Sequence, residues 1–267
     1  MGSLILSLVI ALFVPAEDVK AAPGDIGEPL SSYNLGYAKT LEGKCVIVSL
    51  YVNTPTKIWT ADDISESRLK LKSACEYLEN SAKAYDKNVE FIYDFDEIST
   101  LKYRLWVSYE ASDEAFEDKT DNRIRFFVRR ATDYEALLAK YEADNVLTLL
   151  YFKDSGRPYA ITYDGEDIPE ETAVLYGDAT ATEYAHEILH LFGAHDYYSG
   201  AEYTSAVTDY IDSICPDEIM LNTDEDNGRI KAVISDVTAY HIGWTDELNI
   251  LGSYPELARE GVTAGNE

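Results

Sequence analysis

Three of the four histidines in this 267-residue chain fall within one run of eleven residues, His186-Glu187-Ile188-Leu189-His190-Leu191-Phe192-Gly193-Ala194-His195-Asp196. Residues four apart share one face of a helix, so His186 and His190 can direct their imidazoles at a single metal ion. Glu187 stands about 100° further round, beside that metal rather than on it, where a general base belongs. Gly193 can take a positive φ and end the helix sharply. Any fold that accommodates the run must supply a buried helix that stops at a tight reversal.

Neighbouring residues strengthen the helix reading. Thr180 and Glu183 form a T-x-x-E capping box at its start. Tyr184, Ile188 and Leu191 recur on the face away from the histidines and anchor it in a core. The reversed chain is expected to bring His195 back as a third ligand. Three neutral imidazoles would leave one tetrahedral position open for water, as a catalytic zinc site does.

The segment resembles the extended signature of the metzincin zinc peptidases, H-E-x-x-H-x-x-G-x-x-H-D, and looks closest to the adamalysin (reprolysin) branch. Met220, the only methionine after the first residue, lies downstream in Cys215-Pro-Asp-Glu-Ile-Met220. The resemblance implies that Met220 is an apolar floor beneath the histidines. It also implies one catalytic Zn2+ held by His186, His190 and His195, with Glu187 activating its water and Asp196 bracing the His195 loop. Asn222 follows Met220 where some relatives carry a tyrosine ligand, so no tyrosine is expected on the metal. In the family, Tyr159–Tyr163 would be an antiparallel edge strand along the cleft. Ala160, Ile161 and Thr162 would then pair with an extended peptide through the main chain.

The rest of the chain suits one large domain. Residues 4–14 are an eleven-residue, mostly apolar run, too short to span a bilayer and suited to the core of a signal peptide. The expected layout is a leader over 1–22, a Pro- and Gly-rich linker over 23–40, a catalytic domain over 41–250 and a tail over 251–267. Lys44–Val52 is nearly continuous in apolar residues, as a strand covered on both faces would be. Ile64, Leu71, Cys75, Leu78, Ala82 and Tyr85 recur at helical spacing over 62–86, and Val89–Tyr93 follows as a strand, which implies a parallel crossover. Residues 103–110 and 123–129 read as strands that could form one hairpin across the polar 111–122 stretch, and Tyr134–Tyr141 as a short helix. Leu147–Phe152, Tyr159–Tyr163 and Ala173–Tyr176 read as the strands ahead of the metal-binding helix. Ser235–Ile242 reads as a last helix, ended by Gly243. The fold expected is α/β, with a mostly parallel twisted sheet, one antiparallel edge strand, an active-site helix and a C-terminal helix.

Three cysteines make no disulfide scaffold, although Cys45 and Cys75 fall on elements that should pack together, as a bond or as two thiols. His241 reads as a packed or solvent-facing helix residue, with Tyr240 and Trp244 as core aromatics. A net charge of −27 would repel nucleic acid. The acid-rich stretches 164–171 and 224–228 offer carboxylates to Ca2+, but neither matches an ordered ligand loop. If 164–171 and 224–226 flank the cleft, basic or neutral residues should be preferred over acidic ones around the cut. The function expected is a secreted, monomeric zinc endopeptidase acting on proteins or peptides, with no stable membrane span after processing. The alternative is a secreted zinc-containing binding protein on the same scaffold that degrades nothing.

Overall fold

Strand β1, Gly43–Asn53, is the spine of the sheet. The computed structural model describes residues 38, 40–96, 101–110, 132–162, 171–198 and 203–259. The leader, nearly all of the linker, the 123–129 stretch, residues 164–170 and the chain end from 260 lie outside the described residues. β1 pairs in parallel with β4, Asn145–Phe152, along most of its length. Its other edge is shared by two shorter parallel strands, β2 (Val89–Ile92) against its first half and β3 (Lys102–Trp106) against its second. The sheet continues from β4 to parallel β6, Thr172–Tyr176, and ends in antiparallel β5, Tyr159–Ile161. This is a mixed α/β architecture with a mostly parallel sheet. β3 falls at the start of the stretch expected as a strand over 103–110, and its expected hairpin partner, 123–129, lies outside the described residues.

Alternation along β1 and β4 sorts the core into two layers. Cys45, Ile47, Tyr51, Leu147, Leu149 and Tyr151 face one side, while Val46, Val48, Leu50, Val52, Val146 and Leu150 face the other. The first side is covered by α1 (Ala61–Ala82), α3 (Ala181–His190) and α5 (Asp236–His241). On the second side α2 (Tyr134–Tyr141) contributes Tyr134, with Leu137 and Leu138 packed at its margin. A helix that the periodicity did not reveal, α4 (Ser205–Ile214), buries only Val207 and Ile211. Among the described residues no helix is long and apolar enough to cross a membrane.

Cys45 and Cys75 are buried free thiols, and burial pushes Cys45 up to about 12, far from the range where a thiolate forms. Residues beyond 250 continue to pack on the domain. Leu257 is buried and its carbonyl accepts from His241 Nε2 at 3.0 Å, while the Arg259 guanidinium lies 4.3 Å from the Tyr240 ring centroid.

Helix α3 is held at both ends. Thr180 Oγ1 accepts from the Glu183 amide at 3.1 Å, and the Glu183 carboxylate accepts from the Thr180 amide at 2.7 Å. Glu225 accepts from the Thr182 amide at 2.7 Å, placing a second carboxylate at the positive end of the helix. At the far end Gly193, with φ of 91°, carries a Schellman closure. Its amide donates to the His190 carbonyl at 2.9 Å and the Ala194 amide to the Leu189 carbonyl at 3.1 Å. Tyr184, Ile188 and Leu191 are buried, as their spacing requires. Thr180→Ala removes the first acceptor and is expected to cost about 1 kcal/mol. An unchanged urea midpoint would show that the box contributes nothing to stability.

Candidate metal centre

The two helix histidines are oriented from behind by main-chain carbonyls. His186 Nδ1 lies 2.9 Å from the Ile219 carbonyl, and His190 Nδ1 lies 2.8 Å from the Ala194 carbonyl. A carbonyl can only accept, so each Nδ1 carries the hydrogen and each Nε2 presents a lone pair. Those two Nε2 atoms stand 3.1 Å apart. The third atom at the cluster is Asp196 Oδ1, 3.0 Å from His186 Nε2 and 3.3 Å from His190 Nε2. Ligands bound tetrahedrally at roughly 2.0–2.1 Å are separated by about 3.3–3.4 Å, so the three atoms are spaced much as ligands of one zinc ion would be.

The donor set fits a divalent metal. Three acceptors in mutual contact repel unless positive charge lies among them, and Asp196 Oδ1 is buried without a hydrogen-bond donor. The local field favours a cation. Burial acts against a charged His190, yet a proton shared with Asp196 and the charge of Glu187 overcome it and lift His190 to about 9, so the space between Nε2 and Oδ1 favours positive charge, as a proton or as a metal ion. Burial likewise opposes ionised Asp196, but the two histidines hold its carboxyl well below the usual carboxylate range.

His195, the expected third ligand, stands outside this three-atom cluster although it lines the same cleft. His195 is buried, its ring 5.2 Å from that of His241 and 5.4 Å from that of Tyr203, and it is not part of the three-residue cluster. Counted along the chain, one residue separates Gly193 from His195 and two separate it from Asp196. The third position of the extended signature thus falls on Asp196, which presents Oδ1 to the histidines and accepts from the Tyr198 hydroxyl through Oδ2. Asp196 is a candidate ligand rather than a brace for the His195 loop.

Glu187 is buried beside the cluster, and its Oε2 has no hydrogen-bond partner. Burial raises its pKa, opposed by the positive potential of His186 and His190. The cluster lines a cleft of about 530 Å³. Ala160 and Thr162 line it too, whereas Ile161 packs into the core layer on the other side of the sheet, as strand alternation demands. Arg157, just ahead of β5, also lines the cleft, with its guanidinium carbon 4.8 Å from the Tyr198 ring centroid.

Met220 is fully buried in the turn that carries the Ile219 carbonyl, and its own carbonyl accepts from the Tyr197 amide at 2.9 Å. Under this turn lies Glu218, a buried carboxylate that sequence reasoning missed. It accepts from the Ser235 amide at 2.5 Å and the Thr238 hydroxyl at 2.8 Å, tying the turn to the start of α5. His241 is packed rather than solvent-facing. Its Nδ1 accepts from the Tyr197 hydroxyl at 3.1 Å, and burial, with His195 adding, lowers it to about 3.

No protein-family model matches the chain, and no curated protein matches it. Function must be argued from the site itself.

Two outcomes are expected. After zinc loading and dialysis, Asp196→Ala should lose metal by elemental analysis, while His195→Ala and His241→Ala should keep it; retention in Asp196→Ala with loss in His195→Ala would reverse the assignment. Met220→Leu should cost less than about 1.5 kcal/mol because volume is nearly conserved. Met220→Glu, which buries an unpaired carboxylate, should lower the melting temperature sharply. Equal melts for both variants would place Met220 outside the packed turn.

Proposed function

We propose that this chain is a secreted zinc endopeptidase of the metzincin type, with two histidines and an aspartate as protein ligands. The observation that carries the reading is the convergence of His186 Nε2, His190 Nε2 and Asp196 Oδ1 beside the unpaired Glu187 carboxylate in an open cleft. A glutamate one residue after the first ligand is what metal-assisted hydrolysis requires, because a metal site that only stabilised the fold would need no base. The resemblance to the metzincin signature supports the reading once its third position is placed at Asp196. The mostly parallel sheet with antiparallel β5 and the buried Met220 turn are compatible with it. Export rests on the apolar run at residues 4–14.

His186, His190 and Asp196 would hold the ion. When bound, zinc supplies a Lewis acid that polarises the scissile carbonyl and makes water more acidic. Glu187 takes the proton of the attacking water and delivers it to the leaving amine. The main chain of β5, through the face bearing Ala160 and Thr162, offers an extended peptide a strand to pair with. That requirement for an extended chain favours protein and peptide substrates.

Glu187→Gln preserves size but removes the base. The variant should keep its zinc and lose about 10²–10⁴-fold in peptide hydrolysis. Hydrolysis near the wild-type rate by the purified, zinc-loaded variant would end the proposal.

A further inference from the structure

Resting on the peptidase reading above, we propose that Arg157 selects substrates bearing a carboxylate just C-terminal to the cut bond. Arg157 lines the same cleft as the metal cluster, and its guanidinium lies over the Tyr198 ring. The Tyr198 hydroxyl donates to Asp196, so one tyrosine ring separates this cation from the candidate ligand. Packing against the ring face fixes the planar guanidinium without neutralising it. One N–H of Arg157 also reaches the Tyr198 side chain, and the remaining N–H groups offer an edge that matches a carboxylate.

The other ionised groups of the cleft are already engaged. Glu183 closes the capping box, Asp196 belongs to the metal cluster, and Glu187 is buried beside it. Among the described residues no carboxylate pairs with Arg157. The sequence expectation of the opposite preference rested on 164–171 and 224–226, and residues 164–170 lie outside the described residues. Glu225, assigned to an acidic wall of the cleft, is directed at the start of α3, where it accepts from both the amide and the hydroxyl of Thr182.

The direction of the bound chain places the selected group. β5 pairs with β6 on one edge, and Ala160 and Thr162 meet the cleft on the other. Antiparallel pairing is the more stable ladder. A peptide added to β5 in that sense runs past Tyr159 and reaches Arg157 with its C-terminal half. The carboxylate read there belongs to the leaving side, as the side chain of an acidic residue or as a free chain end.

Arg157 is exposed, so the gain should be modest, about five- to tenfold in kcat/KM, and should fade as salt screens over about 8–10 Å. The test uses the zinc-loaded full chain and quenched fluorescent peptides with Glu, Gln or Lys at the first or second position after the cut. One series is amidated, and another ends there with a free carboxylate. Glu should exceed Gln, and Gln exceed Lys. Arg157→Gln should abolish the preference, Arg157→Lys should retain part of it, and Arg157→Glu should turn it toward Lys. A preference within the amidated series identifies the side chain as the group read; a preference confined to the free-ended series identifies the chain terminus.

A purely structural role would lower all peptides together and leave their ratios unmoved, which would overturn the inference. So would equal use of Glu and Gln peptides by the wild type. Binding of the same peptides to Glu187→Gln, followed by fluorescence anisotropy, separates the two claims. Arg157-dependent binding of acidic peptides without wild-type hydrolysis would retain carboxylate recognition and remove the peptidase reading. Hydrolysis without charge preference would do the reverse.

Discussion

Two hydrogen bonds from histidine Nδ1 atoms to main-chain carbonyls set the geometry of the candidate metal centre. They turn the Nε2 lone pairs of His186 and His190 toward one point, and their acceptors come from separate places in the chain. The Ala194 carbonyl is delivered by the reversal at Gly193, and the Ile219 carbonyl by the turn containing Met220. A helix bearing the same two histidines, without those loops, would leave the rings free to rotate and to exchange tautomers. The site is therefore a property of three segments packed together.

The packing behind those loops is correspondingly polar and closed. Glu218, buried under the Met220 turn, gathers the Ser235 amide, the Thr238 hydroxyl and the Met220 amide. Burial pushes its pKa up, and these donors pull it back. Leaving a buried acceptor half-satisfied costs about 1–3 kcal/mol, so the network specifies how the turn and α5 meet. Tyr197 extends the network, with its amide on the Met220 carbonyl and its hydroxyl on His241. The loop after Gly193 is thus pinned on the core side while its other side opens on the cleft.

That two-sidedness explains what was legible in the sequence and what was not. Helix α3, its capping box and its glycine stop were legible because each rests on local chemistry at fixed spacing. The third metal position was misplaced by one residue, and in an extended segment one residue changes sides. His195 and Tyr197 pack on His241, Tyr203 and Thr238, with His195 also reaching the cleft wall, while Asp196 and Tyr198 face the cleft. The two intervening residues of the signature after Gly193, Ala194 and His195, lead to Asp196. Helix α4 gave little signal, because it buries two side chains and its cap residue Thr204 makes no side-chain cap. The strands β7, Glu225–Asp226, and β8, Arg229–Ile230, are too short for any period to show. Glu218 was illegible for another reason, since nothing local separates a buried carboxylate from a solvated one.

The acid excess follows the same logic. A charge of −27 reads from composition as a solvated surface, yet several carboxylates serve as fixed acceptors inside the fold. Asp63 closes the cap of α1, Glu183 closes that of α3, and Glu225 adds a second acceptor at the start of α3. Asp94 is buried against Arg68 and Ser49, where burial raises its pKa against the pull of the guanidinium. Hydrogen bonds to backbone amides direct these carboxylates at helix ends, although Glu183 keeps its charge and still lines the cleft. Net charge therefore does not predict the sign of the potential at the cleft. That sign depends on the few groups left facing the opening, and among the described residues the cation on the rim is Arg157.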